Sequence, residues 1–253
     1  MIGAFFIACV LLGDLVLAQD CVLPPAVETV HIKYVFDGDT LQLKDGRKVR
    51  LLGINTPELD HEGGAHEPLA LEARQYLQRL IGQAKSIGLY YSEQRRDRYK
   101  RVLAHIILDG DIDVQQRLLQ QGLAFAIAIP PDLFNQSCYQ QVENMARKLH
   151  RGVWGEPYYK SLSLDVHAPD RSGFRLLNGT VRQVSVTASA VWLRLNSRVT
   201  LRIDSKDMVN FSRGESWDQL RGRFIQARGW LYRKRHQWRM KIHHPQNLII
   251  EPL

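Results

Sequence analysis

Three short stretches gather residue types that suit phosphate chemistry: Asp37-Gly38-Asp39-Thr40, then Arg50-Leu51-Leu52-Gly53-Ile54-Asn55-Thr56-Pro57-Glu58, and then Asp97-Arg98-Tyr99-Lys100-Arg101. Read singly, each is ordinary, since Asp-Gly marks a turn, Arg50 a surface charge and Thr56-Pro57-Glu58 a loop. As a set they supply carboxylate and amide oxygens for a hard cation, two guanidiniums whose forked donors match phosphate oxygens, and a spare carboxylate to handle a water proton.

Such groups need a rigid frame. Apolar and polar side chains alternate over 31–36 and 40–43 on either side of Asp37-Gly38, and 49–54 follows Asp45-Gly46, a strand meander with tight turns. Pro68 opens a helical pattern that puts Leu69, Ala73, Leu77 and Leu80 on one face with Tyr76 beside them. Strands return at 87–91 and 102–108, the second ending at Asp109-Gly110; helices over 114–121 and 136–150 are closed by Gly122 and Gly152. This order fits a small five-stranded barrel capped by helices.

Over residues 30 to 155 the chain resembles the staphylococcal nuclease-like (thermonuclease) family. The resemblance rests on DGDT at 37–40, RLLGINTPE at 50–58, the Glu72-Ala73 pair, DRYKR at 97–101, GLA at 122–124 and Gly152-Val153-Trp154. It implies an OB-type barrel with helices and calcium-dependent hydrolysis of DNA and RNA phosphodiesters, leaving 3'-phosphate and 5'-hydroxyl ends. It also implies roles: Asp39 as metal-binding aspartate, Thr56 as a backbone carbonyl ligand, Arg50 and Arg101 as phosphate-binding arginines, Glu58 as general base, and Asp97 and Tyr99 beside the substrate. A metal at Asp39 would withdraw charge from phosphorus, and the arginines would meet the negative charge that builds on the equatorial oxygens. Glu58 would orient or deprotonate the attacking water. Two positions depart from the family pattern. Asn55 stands where a second metal-binding aspartate is expected, which removes one charge while leaving an amide oxygen and implies weaker calcium binding. Lys100 replaces a glycine and adds a cation near the substrate. Calcium, or another divalent metal, is the expected cofactor.

Composition agrees with a folded protein: of 253 residues, 45% are hydrophobic and 24% charged, with only 18 Gly and 10 Pro, which excludes collagen-like and disordered classes. The first 18 residues are almost wholly apolar and end in Val16-Leu17-Ala18, the pattern of a secretory signal cleaved after Ala18 and hence of a secreted or periplasmic protein. A short membrane anchor is the other reading; against it, Asp14 interrupts the run, and about 20 apolar residues are wanted for a span. Cleavage removes Cys9 and leaves Cys21 and Cys138, which either bridge or stay as two thiols. His61, Glu62, His66 and Glu67 flank Gly63-Gly64 after Glu58, a solvated loop rather than a zinc site, since their spacing matches no common one.

The formal charge of +8 sits at one end of the chain. Residues 19–170 carry 18 basic and 20 acidic side chains, whereas residues 171–241 carry 16 Lys and Arg against Asp204, Asp207, Glu215 and Asp218, a net +12. That asymmetry points to a polyanionic partner for a separate segment. The division expected is a catalytic domain over 19–155, a linker over 156–172 and a smaller basic OB-like barrel over 173–253. In the latter, strands are predicted over 174–187, 190–195, 198–203, 224–232 and 238–242, with a short helix over 205–211 before the fourth. Trp192, Trp230, Tyr232 and Trp238 alternate with Arg194, Arg228, Arg233, Arg235 and Arg239. Aromatic platforms among arginines suit single-stranded DNA or RNA, while barrel filling with a solvated basic face is the alternative. Two rivals to a nuclease stay open: a nucleic-acid-binding scaffold that lost turnover, which Asn55 favours, and a basic domain for a cell-surface polyanion.

Overall fold

The computed structural model describes residues 21–23, 25–60, 62–211 and 216–251; residues 1–18, on which the expected signal falls, with Cys9, and His61 of the loop after Glu58 lie outside the described residues. No helix among the described residues is long and apolar enough to cross a membrane.

The chain folds around two β-sheets. The first is built from β1 (Glu28–Thr29), β2 (Ile32–Val35), β3 (Thr40–Leu43), β4 (Lys48–Leu51), β6 (Ile87–Arg96), β7 (Val102–Leu108) and β8 (Ile112–Asp113), while β5 (Ile54–Asn55) pairs with β9 (Phe125–Ala126). Three helices, α1 (Ala70–Gln83), α2 (Val114–Gln120) and α3 (Gln136–Lys148), pack beside them. The strands run β1-β6-β7-β4-β3-β2, with β4 and β7 parallel. Glu28 and Thr29 pair with Leu89 and Gly88 at one edge, and only three residues later Ile32 pairs with Leu43 at the other. One continuous segment thus serves both edges and curls the sheet toward a barrel. Its core holds Leu41, Leu43, Val49, Leu51, Leu89, Ile106 and Leu108, sealed by Leu77 from α1 and Tyr139 from α3. A disulfide joins Cys21 to Cys138 across a separation of 117 residues and pins the start of the described chain to α3.

The second sheet repeats that path. It comprises β10 (Leu162–Ser163), β11 (Gly173–Thr180), β12 (Gln183–Val186), β13 (Ala190–Arg194), β14 (Val199–Asp204), β15 (Phe224–Lys234), β16 (Gln237–Lys241) and β17 (Leu248–Ile250). The order is β10-β11-β15-β16-β14-β13-β12, with β14 and β16 parallel. Alternation is clean: Leu193, Leu201, Ile203, Leu231 and Met240 point inward, while Trp192, Arg194, Thr200 and Arg202 do not. The single strand expected over 174–187 is interrupted at Val181 and Arg182, so that β11 pairs with β15 and β12 with β13. This is the same device as the β1–β2 break, and it explains why the regular pattern did not run through. The helix expected over 205–211 is a 3-10 segment, Ser205–Asn210.

Residues 156–172 are tied to both sheets. Pro157–Tyr159 forms a 3-10 turn, the Tyr159 hydroxyl donates to the Pro68 carbonyl at 2.7 Å, and Leu162 pairs in parallel with Leu177. That carbonyl precedes Leu69, whose left-handed φ of 66° delays α1 to Ala70 rather than Pro68. Tyr159, Phe125, Ile127, Val153 and Phe174 form a third apolar cluster drawn from both halves of the chain.

Candidate active site

The site lies on the loops of the first sheet. The turn between β2 and β3 carries Asp37 and Asp39; the Asp37 Oδ1 accepts the Asp39 N–H at 3.0 Å, which fixes the turn. Gly38 is there for contact, because a Cβ would come within 2.8 Å of both the Ala73 Cβ and the Thr56 Cγ2. That packing gives Ala73 its place in the first helix. Asp39, only 1% exposed, accepts the Thr40 hydroxyl at 3.0 Å and the Thr56 N–H at 2.9 Å. Arg50, opposite Thr40 in the ladder, forms an ion pair with Asp39 through Nη1 and donates from Nη2 to the Asn55 Oδ1 at 3.0 Å. The Asn55 amide in turn donates to the Thr56 carbonyl at 3.2 Å.

Glu58 follows at the rim. It is exposed by surface area yet ringed by protein, and partial burial together with the Asp39 charge pushes its carboxyl up to about 7 against the pull of Arg50 and Arg101. Burial and then the charges of Asp39 and Glu58 raise Asp37 to about 8. The two shifts share their causes, burial and the mutual repulsion of neighbouring carboxylates.

The third stretch is the turn between β6 and β7. The Asp97 Oδ1 accepts the N–H groups of Tyr99 and Arg101, each at 2.9 Å, and its Oδ2 holds the Arg101 Nε at 2.7 Å. Asp97 therefore orients the guanidinium and leaves its terminal nitrogens for an anion; a carboxylate so used is a positioning group rather than a direct phosphate contact. Lys100 adopts a φ of 65°, the left-handed conformation that favours glycine, which accounts for the family's glycine at this place. Tyr99 is 64% exposed with the Arg101 guanidinium 5.6 Å from its ring centroid. Arg50, Asp97 and Arg101 line one cleft of about 230 Å³.

Among the described residues no three His, Cys, Asp or Glu side chains converge on a point that would cage a metal. What the recess offers instead is the Asp39 carboxylate with the Asn55 amide oxygen and the Thr56 carbonyl, hard donors of the kind calcium takes. In their chemistry, one carboxylate and two neutral carbonyl oxygens, these donors fit a hard divalent ion.

The family described as staphylococcal nuclease homologue matches residues 48–156. The thermonuclease of Staphylococcus hyicus is 32% identical over 130 residues, which is 50% of this chain and 76% of the relative. The chain belongs to the staphylococcal nuclease homologue family. The thermonuclease of Staphylococcus intermedius, 31% identical over 130 residues, covers the same shares, 50% and 76%; endonuclease YncB of Bacillus subtilis is 29% identical over 134 residues, 51% of this chain and 63% of the relative. The matched range contains Arg50, Asn55, Thr56, Glu58 and Arg101, while Asp39 precedes it and the second sheet follows it.

On that second sheet, outside the nuclease-family match, the aromatic and arginine residues separate into four situations. Trp192 lies between two guanidiniums, with Arg202 4.9 Å and Arg239 5.2 Å from its ring centroid. Trp238 packs on the barrel core with Arg233 at 5.9 Å, and Arg194, Arg233 and Arg235 are exposed, with Tyr232 half-buried. Arg228 requires a correction: it is 8% exposed and donates to the Glu143 carboxylate at 2.6 and 2.8 Å and to the Ala126 carbonyl at 3.1 Å, so it ties β15 to α3 and β9 and is not available to a nucleic acid. Trp230, two residues on, is 40% exposed and lines the cleft of Arg50 and Arg101.

Sequence reasoning missed Arg202, the second cation on Trp192, although the alternation of Thr200, Arg202 and Asp204 along β14 carries that signal. It also missed a link behind Glu58. The Glu67 Oε2 accepts the Glu58 N–H at 3.0 Å, while its Oε1 accepts from the Tyr158 hydroxyl at 3.3 Å and from Arg175 at 3.5 Å. No local pattern could have joined residues 67, 158 and 175.

Proposed function

We propose that this chain is a secreted or periplasmic, divalent-metal-dependent nuclease that hydrolyses phosphodiester bonds of DNA, RNA or both and leaves 3'-phosphate ends. Membership of a family whose relatives are named thermonuclease and endonuclease supports a nucleic-acid hydrolase. The observation that carries the reading is the pairing of Arg50 with the buried Asp39 at the edge of a cleft that Arg50 shares with Arg101, with Glu58 near enough to feel the charges of Asp39, Arg50 and Arg101.

In this reading Arg101, steadied by Asp97, binds the terminal oxygens of the substrate phosphate and strengthens its hold as negative charge builds. Arg50, linked to Asp39 and Asn55, faces the same phosphate from the sheet. Glu58, with its carboxyl pushed up to about 7, accepts or directs the proton of the attacking water near neutral pH. Calcium, bound by Asp39, Asn55 and the Thr56 carbonyl, would supply Lewis-acid polarisation of a phosphate oxygen. Residues 19–155 form the catalytic unit in this reading, and the basic residues 173–253 hold the strand, preferentially single-stranded, without entering a membrane.

Digestion of plasmid DNA and of RNA by the mature chain, with calcium, with other divalent ions and with chelator, tests it. Cleavage that requires a divalent ion and yields 3'-phosphate ends is expected. Binding of both polymers without degradation under any of these conditions would assign the chain instead to a nucleic-acid scaffold, the reading that Asn55 favours.

A further inference from the structure

Trp230 is carried by β15 of the second sheet, yet its side chain faces the first. It lines the cleft of about 230 Å³ together with Arg50 and Arg101, and the remaining wall includes the apolar side chains Ile127, Ile129 and Pro130. One ring contact and one anchored strand hold the indole in place. Phe174, its partner across the ladder, meets it edge-on with centroids 5.3 Å apart at 75°. Arg228, two residues back on the same strand, is locked to Glu143 and to the Ala126 carbonyl. The strand cannot slide without breaking a buried ion pair, so Trp230 is held at a set place over the cleft. Packing on Phe174 accounts for only part of the ring, because 40% of the residue stays exposed.

An aromatic surface presented to a cleft whose lining joins apolar side chains to the Arg50 and Arg101 guanidiniums, with Asp97 and Asp132 also at its wall, matches one ligand chemistry: a nucleobase whose own phosphate is seated on the arginines. A base inside a duplex has both faces stacked and cannot offer one, whereas a base in a single strand can. Resting on the nuclease reading above, we propose that Trp230 is the base-contacting wall of the active-site cleft, so that the second sheet completes the substrate site and selects unstacked, single-stranded nucleic acid. Removal of one stacking platform is expected to weaken binding about tenfold or more.

The test uses the full mature chain in chelator, so that no cleavage is needed. Fluorescence anisotropy compares a short labelled single strand with an abasic strand of the same length, for wild type, Trp230→Phe and Trp230→Ala, each checked for an unchanged melting temperature. The expected result is a loss of about tenfold or more for Trp230→Ala on the base-bearing strand, no loss on the abasic strand, and near wild-type binding for Trp230→Phe. Equal losses on both strands, or none on either, overturn the assignment of Trp230 while wild-type binding leaves the nuclease reading standing. A wild-type chain that binds neither strand overturns the Trp230 assignment, and the nuclease reading falls with it only if the same chain also fails to cleave when a divalent ion is supplied.

Discussion

The two sheets of this molecule follow one path and differ in what their turns carry. In the first, the β2–β3 turn holds Asp37-Gly38-Asp39 and the β6–β7 turn holds Asp97 to Arg101; at the corresponding turns the second has Thr187-Ala188-Ser189 and Arg235-His236. Strand β4 aims Arg50 at a buried aspartate, while its counterpart β14 lays Arg202 over the ring of Trp192. The same frame thus presents carboxylates and arginines together in one half, and arginines with aromatics but no turn carboxylate in the other. Under the proposed reading the first gathers a cation, a phosphate and a water, while the second only holds a polyanion. Function resides in the residues placed on a fold, and the two halves of this chain make that argument within one polypeptide.

The sharpest way to break the comparison is to disable the carboxylate that the second sheet lacks. Glu58→Gln should lower the single-turnover cleavage rate by about 10²- to 10⁴-fold with the melting temperature unchanged, because only a group acting on the water proton is lost. An unchanged rate in the folded variant would remove Glu58 from the chemistry. The joint between the halves comes next. Arg228→Ala leaves Glu143, which is fully buried, without its cation, and should cost about 3–5 kcal/mol of stability, read as a lowered urea midpoint. The double change Arg228→Met with Glu143→Gln should recover much of that loss; a single variant as stable as wild type would show the pair to be dispensable.

A smaller effect concerns the cation itself. Asn55→Asp adds a carboxylate beside Asp39, and the calcium concentration for half-maximal cleavage should fall by about an order of magnitude, since affinity at such sites follows the ligand charge count. A value that stays or rises means that residue 55 is not a ligand. The smallest effect is expected on the second sheet, where Arg233→Ala should flatten the slope of log affinity against log salt for a single strand by about 0.7 without touching the cleavage rate at saturation.

Much of the first half is legible in the chain. The alternation around Asp37-Gly38, the turn at Asp45-Gly46 and the helical spacing of Ala73, Leu77 and Leu80 are local patterns, and local patterns specify the meander and α1. The motif residues stand out in the chain for the same reason. What escaped depends on contacts between distant residues. Arg228 reads as one more arginine in a basic, aromatic strand, and only the approach of α3 turns it into the partner of Glu143, 85 residues away. Residues 156–172, with Pro157 and Pro169, read as a linker, yet Tyr159 is buried between the halves. For that reason removal of residues 171–253, which looks harmless from the charge distribution, would strip Phe174 from the aromatic cluster and Arg228 from Glu143. The break in the long strand at Val181 was equally hidden, because a barrel closes through tertiary pairing rather than through composition.

The central claim, that chemistry belongs to the turns of the first sheet and holding to the second, is tested most directly by a paired measurement on Arg101→Ala and Arg235→Ala, which alter the corresponding turns. Single-turnover cleavage of a short single strand, with calcium and saturating enzyme, should fall by about 100-fold or more in Arg101→Ala and stay at the wild-type rate in Arg235→Ala, which only binds more weakly at low salt, with a flatter salt slope. An Arg235→Ala chain that loses as much rate as Arg101→Ala, while folding and binding normally, would contradict the account.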